Sequence, residues 1–421
     1  MDERCGEGDD VADLIKPWRR GEFRALWSAY ALSVVGDQLA RVALTVLVFD
    51  RTNSAALAAL TYALTMLPNL VSGVALGWLA DRFPRRTIMV CCDVARAVLV
   101  GVMAIPGQPY LALAVLLVVV TMLDGPFGAA QGALLPSVLG EDYEAGQSIQ
   151  QMTQQTAMLL GVAGAGLIVV AVGTNVALAI DAGTFLASAS LVWFGVRHRD
   201  AVDGGESSQW STWWQRITRG AVLVSRDARL RTLLSLALLA LFTVVPEGLA
   251  VPFAHRIGAG AAGAGFLLAA DPAGFVVGSI ALRYLAQRTR LRWLGVLAVG
   301  TSAALLGYLA HPNLAVALGL LGASGICSAY QTVASTSFVR LVPDDRRGQA
   351  LGFARGSLIA GQGLGVALGG VLAQGVGSPG AAIAIAGAAG TVLALGLALA
   401  WTRLSATVLV ALRPQAQEAT D

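Results

Sequence analysis

Lysine is almost missing from this chain of 421 residues: Lys16 is the single one, and Asp, Glu, Lys and Arg together make up only 13% of it. With no lysine behind a glycine-rich loop, a GxxxxGK phosphate cradle is excluded, and any energy coupling within the chain must be ionic. Cysteine and histidine are equally sparse. Cys5, Cys91, Cys92 and Cys327 show neither metal-ligand nor redox spacing, and His198, His255 and His311 fall near expected loops. No haem, zinc site, disulfide framework or other cofactor is expected. HExxH, GxSxG and an intramembrane His pair are absent too, so the chain does not read as an enzyme. Neither tail nor linker is long enough for the sensory or effector domain of a receptor, and no nucleic-acid partner is expected.

What is present is apolar. Hydrophobic residues make up 56% of the chain, above the roughly 45–50% of a soluble globule, and the mean hydropathy is +0.68. Most of it must therefore lie in lipid. The first residues, MDERCGEGDD, are acidic and polar, so no cleavable signal peptide is expected and the first span should stay in the mature protein. A spanning helix needs about 20 mostly apolar residues. Such runs occur near 24–49, 54–80, 86–105, 109–135, 147–172 and 174–196, and again near 231–254, 262–285, 291–310, 313–341, 347–373 and 378–403. The expected fold is an all-α integral membrane protein of twelve transmembrane helices in two pseudo-symmetric six-helix halves. The organisation reads as an N-terminal tail (1–22), a first half (23–196), a linker (197–230), a second half (231–403) and a C-terminal tail (404–421). In the linker Trp210, Trp213, Trp214, Ile217, Ala221 and Val224 recur at helical spacing among arginines. That pattern predicts an amphipathic helix, lying either on the membrane face or against the bundle.

Basic residues of short loops are retained on the cytoplasmic side. The arginines gather in the even-numbered loops, at Arg82, Arg85 and Arg86, Arg197 to Arg229, Arg283 to Arg292, and Arg340 to Arg347. Both termini are thus expected in the cytoplasm, at a bacterial inner membrane. An internal repeat supports two related halves. Asp142, Gly146 and Gln147 match Asp344, Gly348 and Gln349 at a constant separation of 202 residues, which also carries Gly161 onto Gly363. Paired halves are characteristic of secondary transporters, whose substrate site lies where the halves meet.

Ionisable groups at bilayer depth cost at least about 2.5–3.5 kcal/mol each on insertion scales, so they face a water-filled cavity or a partner. In the first span Asp37 and Arg41 lie four residues apart, on one helical face where they can pair. Asp124 sits in LDGPFG of the fourth span, where Gly125 and Pro126 weaken the helix. Glu247 follows Pro246 in the seventh span, and the tenth carries Ser324, Ser328, Tyr330 and Gln331. This placement predicts an aqueous path lined by the first, fourth, seventh and tenth spans, with Asp37, Arg41, Asp124, Glu247, Tyr330 and Gln331 as candidates for the substrate cavity or proton coupling. Structural roles stay open: an internal Asp37–Arg41 ion pair, a solvated Glu247, and packing or capping for Asp181 and Asp271. Arg96 and Asp93 are expected to pair with Asp81 or each other.

Residues 77–86 read GWLADRFPRR, a short basic hairpin between two apolar stretches. Gly77 allows close helix approach, Asp81 can accept hydrogen bonds at a helix end, Pro84 stiffens the turn, and Arg82, Arg85 and Arg86 suit an anionic membrane surface. This decapeptide resembles the loop between the second and third helices of the major facilitator superfamily. LSVVGDQLARVAL, ALLPSVL, IDAGTFLAS and VPDDRRGQALG extend the resemblance over residues 22–403, closest to bacterial drug, macrolide and siderophore exporters. The resemblance implies alternating access, a cytoplasmic gate comprising Gly77, Asp81, Arg82, Arg85, Arg86 and Arg96, and proton antiport through a membrane carboxylate. Its partners would be protons, the lipid bilayer and a small amphipathic organic compound, handled by a monomer. Two features depart from the exporter pattern. Val162 follows Gly161 where a Gly-Pro is common, and Asp124 stands where an arginine of the fourth helix is expected. Uptake or facilitated diffusion remains the alternative to export.

Overall fold

The computed structural model describes residues 16–76, 79–199, 209–343 and 346–411. Gly77, Asp344, most of both tails and linker residues 200–208 lie outside the described residues. Among those described, the regular structure is helical throughout. The first six spans are α1 (Gly21–Thr52), α2 with α3 (Ala55–Leu64, Leu67–Ala75), α5 (Arg85–Met103), α6 with α7 (Tyr110–Met122, Asp124–Leu139), α8 (Tyr143–Val172) and α9 (Thr174–Gly195). The short α4 (Leu79–Arg82) lies between α3 and α5, and α10 (Gln209–Arg226) occupies the linker. The last six spans are α11 to α13 (Ala228–Ala237, Ala240–Thr243, Val245–Arg256), α14 (Gly260–Arg283), α15 (Gln287–Ala304), α16 with α17 (Leu314–Ser328, Tyr330–Leu341), α18 (Arg347–Val376) and α19 (Pro379–Ala411).

Among the described residues, ten of these spans are long and apolar enough to cross a membrane, and α8, taken as one span across its bend, makes eleven. The third span, α5, is the exception because Arg85, Arg86, Asp93 and Arg96 fall within its 19 residues. The breaks inside spans have local causes. Pro126 and Pro246 have no amide to donate and crowd the preceding turn, and the chain leaves regular helix just before each, at Leu123 and at Val244. At the linker's end Asp227 caps α11, accepting from the Arg229 amide at 2.8 Å and its guanidinium at 2.9 Å. The Arg229 hydrogen bonds hold the Asp227 carboxyl below its ordinary range. Asp227→Ala should cost about 1 kcal/mol in thermal denaturation. Because the folded-state value is depressed, the cap's contribution is present above the unfolded value and is lost as pH falls through the folded one.

The chain forms two compact units. One comprises residues 1–51 and 64–207, the other 52–63 and 208–421. The core of the first unit gathers Phe23, Leu26, Met89, Phe127 and Leu134 from α1, α5 and α7. In the second, Leu230, Leu236, Leu294, Tyr330, Phe338 and Trp401 join α11, α15, α17 and α19. Small residues set the helix spacing there, as expected where lipid supplies no hydrophobic drive between helices. A Cβ at Gly274 of α14 would lie 2.9 Å from the Ile326 amide of α16, and one at Gly325 would strike the Asp271 carbonyl. The segment α2 packs in the same unit, with Ala56 and Ala59 against Gly370 of α18. The linker helix packs there too: a Cβ at Gly220 would sit 2.5 Å from the Gln349 carbonyl of α18, and Val224 is buried. The second half of α10 thus lies against the bundle.

Candidate functional site

In the first unit four aspartates and two arginines from four helices converge. Asp37 and Arg41 come from α1, Asp93 and Arg96 from α5, Asp124 from the first position of α7, and Asp181 from α9. Arg96 is central. It is 2% exposed, forms an ion pair with Asp124, and holds Asp93 at 3.8 Å. Its guanidinium lies 5.0 Å from the ring centre of Phe127 and 5.4 Å from that of Phe185, which adds cation–π attraction. The other side of Asp93 accepts a 2.6 Å hydrogen bond from the Ser188 hydroxyl. Asp181 is fully buried against Gly36 of α1. Asp37 lies within electrostatic reach of Asp124, Arg96, Asp181 and Arg41.

The expected set is therefore brought together in part and enlarged. Asp37, Arg41 and Asp124 share one site, but the third and sixth spans add Asp93, Arg96 and Asp181, so buried charge is not confined to the first, fourth, seventh and tenth spans. Arg96 pairs with Asp124 as well as approaching Asp93. Ser188 was legible in principle, since seven residues separate it from Asp181 and place both on one face of α9.

The second unit holds a separate group. Glu247, on α13, accepts a 2.6 Å hydrogen bond from the Tyr62 hydroxyl of α2. Its charge bears on Asp271 of α14, which faces the Ser324 hydroxyl of α16. Tyr330 departs from its expected cavity position. It is 1% exposed inside the core, and its hydroxyl donates to the Leu236 carbonyl at 2.7 Å. The start of α17 turns this side chain into the contact with α11, beside the half-buried Gln331. Tyr330→Phe should therefore lower thermal stability by about 1 kcal/mol and leave transport unchanged.

Of the residues expected at the gate, Arg82 is exposed. Arg85 donates to the Ala133 carbonyl of α7 at 2.7 Å, and Arg86 donates to the Trp193 carbonyl of α9 while stacking 4.6 Å from its ring centre. These two arginines fasten the start of α5 to its neighbours. The side chain of Asp81 lies, like Gly77, outside the described residues. On the flank of the first unit an apolar groove of about 800 Å³ runs between α1, α8 and α9, from Trp18 and Trp27 past Leu160 to Gly36 and Thr184.

Comparison with known proteins agrees with this architecture. The sequence profile of the Major Facilitator Superfamily matches residues 26–254 and, in a second copy, 232–420. The chain belongs to the Major Facilitator Superfamily and is a multi-pass membrane transporter. No curated protein sequence matches it. Among solved structures it is similar to the nucleoside transporter NupG (11% identity, 93% of this chain and 100% of that one, TM-score 0.71). It is also similar to a POT family transporter in complex with a thioalcohol-conjugated peptide (12%, 92% and 96%, 0.71). A bacterial homologue of the human lysosomal transporter Spinster is similar as well (15%, 92% and 96%, 0.63). At these identities the likeness concerns the fold.

Proposed function

We propose that the protein is a proton-coupled antiporter that exports a small amphipathic organic compound, such as a drug, antibiotic or other natural product, by alternating access. The observation that carries the coupling is the charge count of the first unit: four aspartates converge on two arginines. Fully ionised, this cluster would hold two uncompensated negative charges in a largely buried site, which burial disfavours. Proton binding neutralises that excess, and proton release restores it. Rearranging the pairs around Arg96 then links the protonation state to the conformation of the bundle. The groove between α1, α8 and α9 supports an amphipathic cargo, since its walls are apolar and its inner end reaches Thr184. Tyr62, Glu247 and Asp271 supply a second titratable group in the other unit. In this reading the loop from Gly77 to Arg86 latches the cytoplasmic side of a monomer in the bacterial inner membrane, with both termini inside.

The test is efflux from an exporter-deficient bacterial host expressing the chain, over a panel of dyes and antibiotics, with and without a protonophore. Reduced accumulation that the protonophore abolishes is expected. Asp37→Asn, Asp124→Asn and Glu247→Gln should each impair it, and pH-driven transport left intact in all three would refute proton coupling through these groups. Direction is read in oriented vesicles, where uptake into the cell would contradict the export assignment.

A further inference from the structure

We infer that Asp181, on the sixth span, is a proton-binding site of the transport cycle, occupied in this conformation and exchanging its proton with Asp37 past Gly36. The inference rests on the proton-coupled reading and gives one of the excess protons an address. Asp181 has no exposed surface. The Thr184 hydroxyl donates to its Oδ1 at 3.2 Å while also donating to its main-chain oxygen at 2.8 Å. Its Oδ2 is enclosed and has no hydrogen-bond partner among the described residues. A carboxylate so placed would carry charge on an atom that nothing solvates, whereas a carboxylic acid is neutral there.

The groups that face it agree with this assignment. From α5 and α7 it senses Arg96 and Asp124, and these two are already engaged with each other. On α1, Asp37 follows the glycine that touches it and lies within electrostatic reach, without a hydrogen bond between the two, and Arg41 stands one turn further on. Asp93, the remaining acid of the cluster, is held by Ser188 and Arg96. Gly36 is what permits the approach. A Cβ there would collide with both Oδ1 of Asp181 and the Thr184 hydroxyl, so any larger residue would separate α9 from α1 at the level of Asp37. Neither oxygen of Asp181 is hydrogen-bonded to Asp37 here, so transfer waits on a shift of α1 against α9 that brings the two carboxyl groups together; it then breaks the O–H bond at Asp181 and forms one at the Asp37 carboxylate. The electron pair stays on Asp181, and the charge of the cluster is unchanged, so the step needs no further base. Delivery to the cavity then depends on Asp37 and on the partner that Arg96 takes.

Infrared spectroscopy of the purified full chain in lipid tests this without a transport substrate. A protonated-carboxyl C=O band that shifts in deuterium oxide is expected in the wild type and should be lost in Asp181→Asn. Thr184→Val, which removes the hydrogen bond to Oδ1, should displace the same band while keeping it, which covers the case that Asp181→Asn does not fold. Asp37→Asn should leave the band in place and slow its deuteration several-fold. A band unaffected by changes at both 181 and 184 would overturn the assignment, and deuteration as fast in Asp37→Asn as in the wild type would overturn the exchange route. Failure of proton-driven export would instead show in the efflux measurements on the wild type, whatever this spectrum contains.

Discussion

Arg96→Met should destabilise the first unit by about 3–5 kcal/mol, the range for removing one partner of a buried ion pair. The lower end is the better expectation, because the side chain of Asp124 is 30% exposed and water can reach part of the orphaned charge. Arg96 also holds Asp93 and lies over two aromatic rings, so the change strands two carboxylates and removes two cation–π contacts. The measurement is the apparent melting temperature of the detergent-solubilised protein, compared at one heating rate because unfolding of such proteins is commonly irreversible. Adding Asp124→Asn to Arg96→Met should recover part of the loss, since one of the two stranded charges is then gone. Wild-type stability in the single variant would mean that the cluster does not depend on its central cation.

Gly325→Val should be among the most damaging small substitutions in the second unit. Its Cβ would meet the Asp271 carbonyl, with the Cα of the same residue at 3.0 Å, and main chain cannot rotate aside as a flexible side chain can. Overpacking of this kind costs typically about 1–3 kcal/mol, and more where the neighbour is rigid. The added methyls would also force α14 away from α16 where Asp271 faces Ser324, so impaired transport should accompany the fall in melting temperature. Gly319→Val is the control. It lies on the same helix, and a Cβ there meets nothing within 4 Å. Equal effects from the two substitutions would show that helix propensity, not the close approach, decides the outcome.

The helix content and the repeated halves were legible because apolar runs of membrane length and a constant repeat separation are one-dimensional signals. The convergence of Asp37 and Asp124 was legible for a related reason: charge at bilayer depth must have a partner or water. Arg96 was harder to place. Asp93, three residues before it, is one of its ion-pair partners, as the sequence suggests, but the closer one is Asp124, and that contact depends on how α5 packs against α7. Tyr330 went astray because helices that are apolar nearly all round give no period from which to judge facing. Tyr62 carried no signal at all, since its bond to Glu247 spans 185 residues. Asp181 could be seen as a charge within a span. That Gly36 lets it lie beside Asp37 is a property of two packed helices and not of either alone.

The membership of α2 bears on how separable the repeated halves are. Residues 52–63 lie within the first half of the sequence but pack with the second compact unit. They give Glu247 its tyrosine donor and set Ala56 and Ala59 against Gly370. A fragment beginning at the linker would therefore carry Glu247 without that hydroxyl and Gly370 without the helix that covers it. Gene fragments split at the linker would have to be made together, the N-terminal one completing the other, for the acidic group of the C-terminal half to form. The duplicated halves are thus not interchangeable cassettes: the first lends a segment that the second cannot supply for itself.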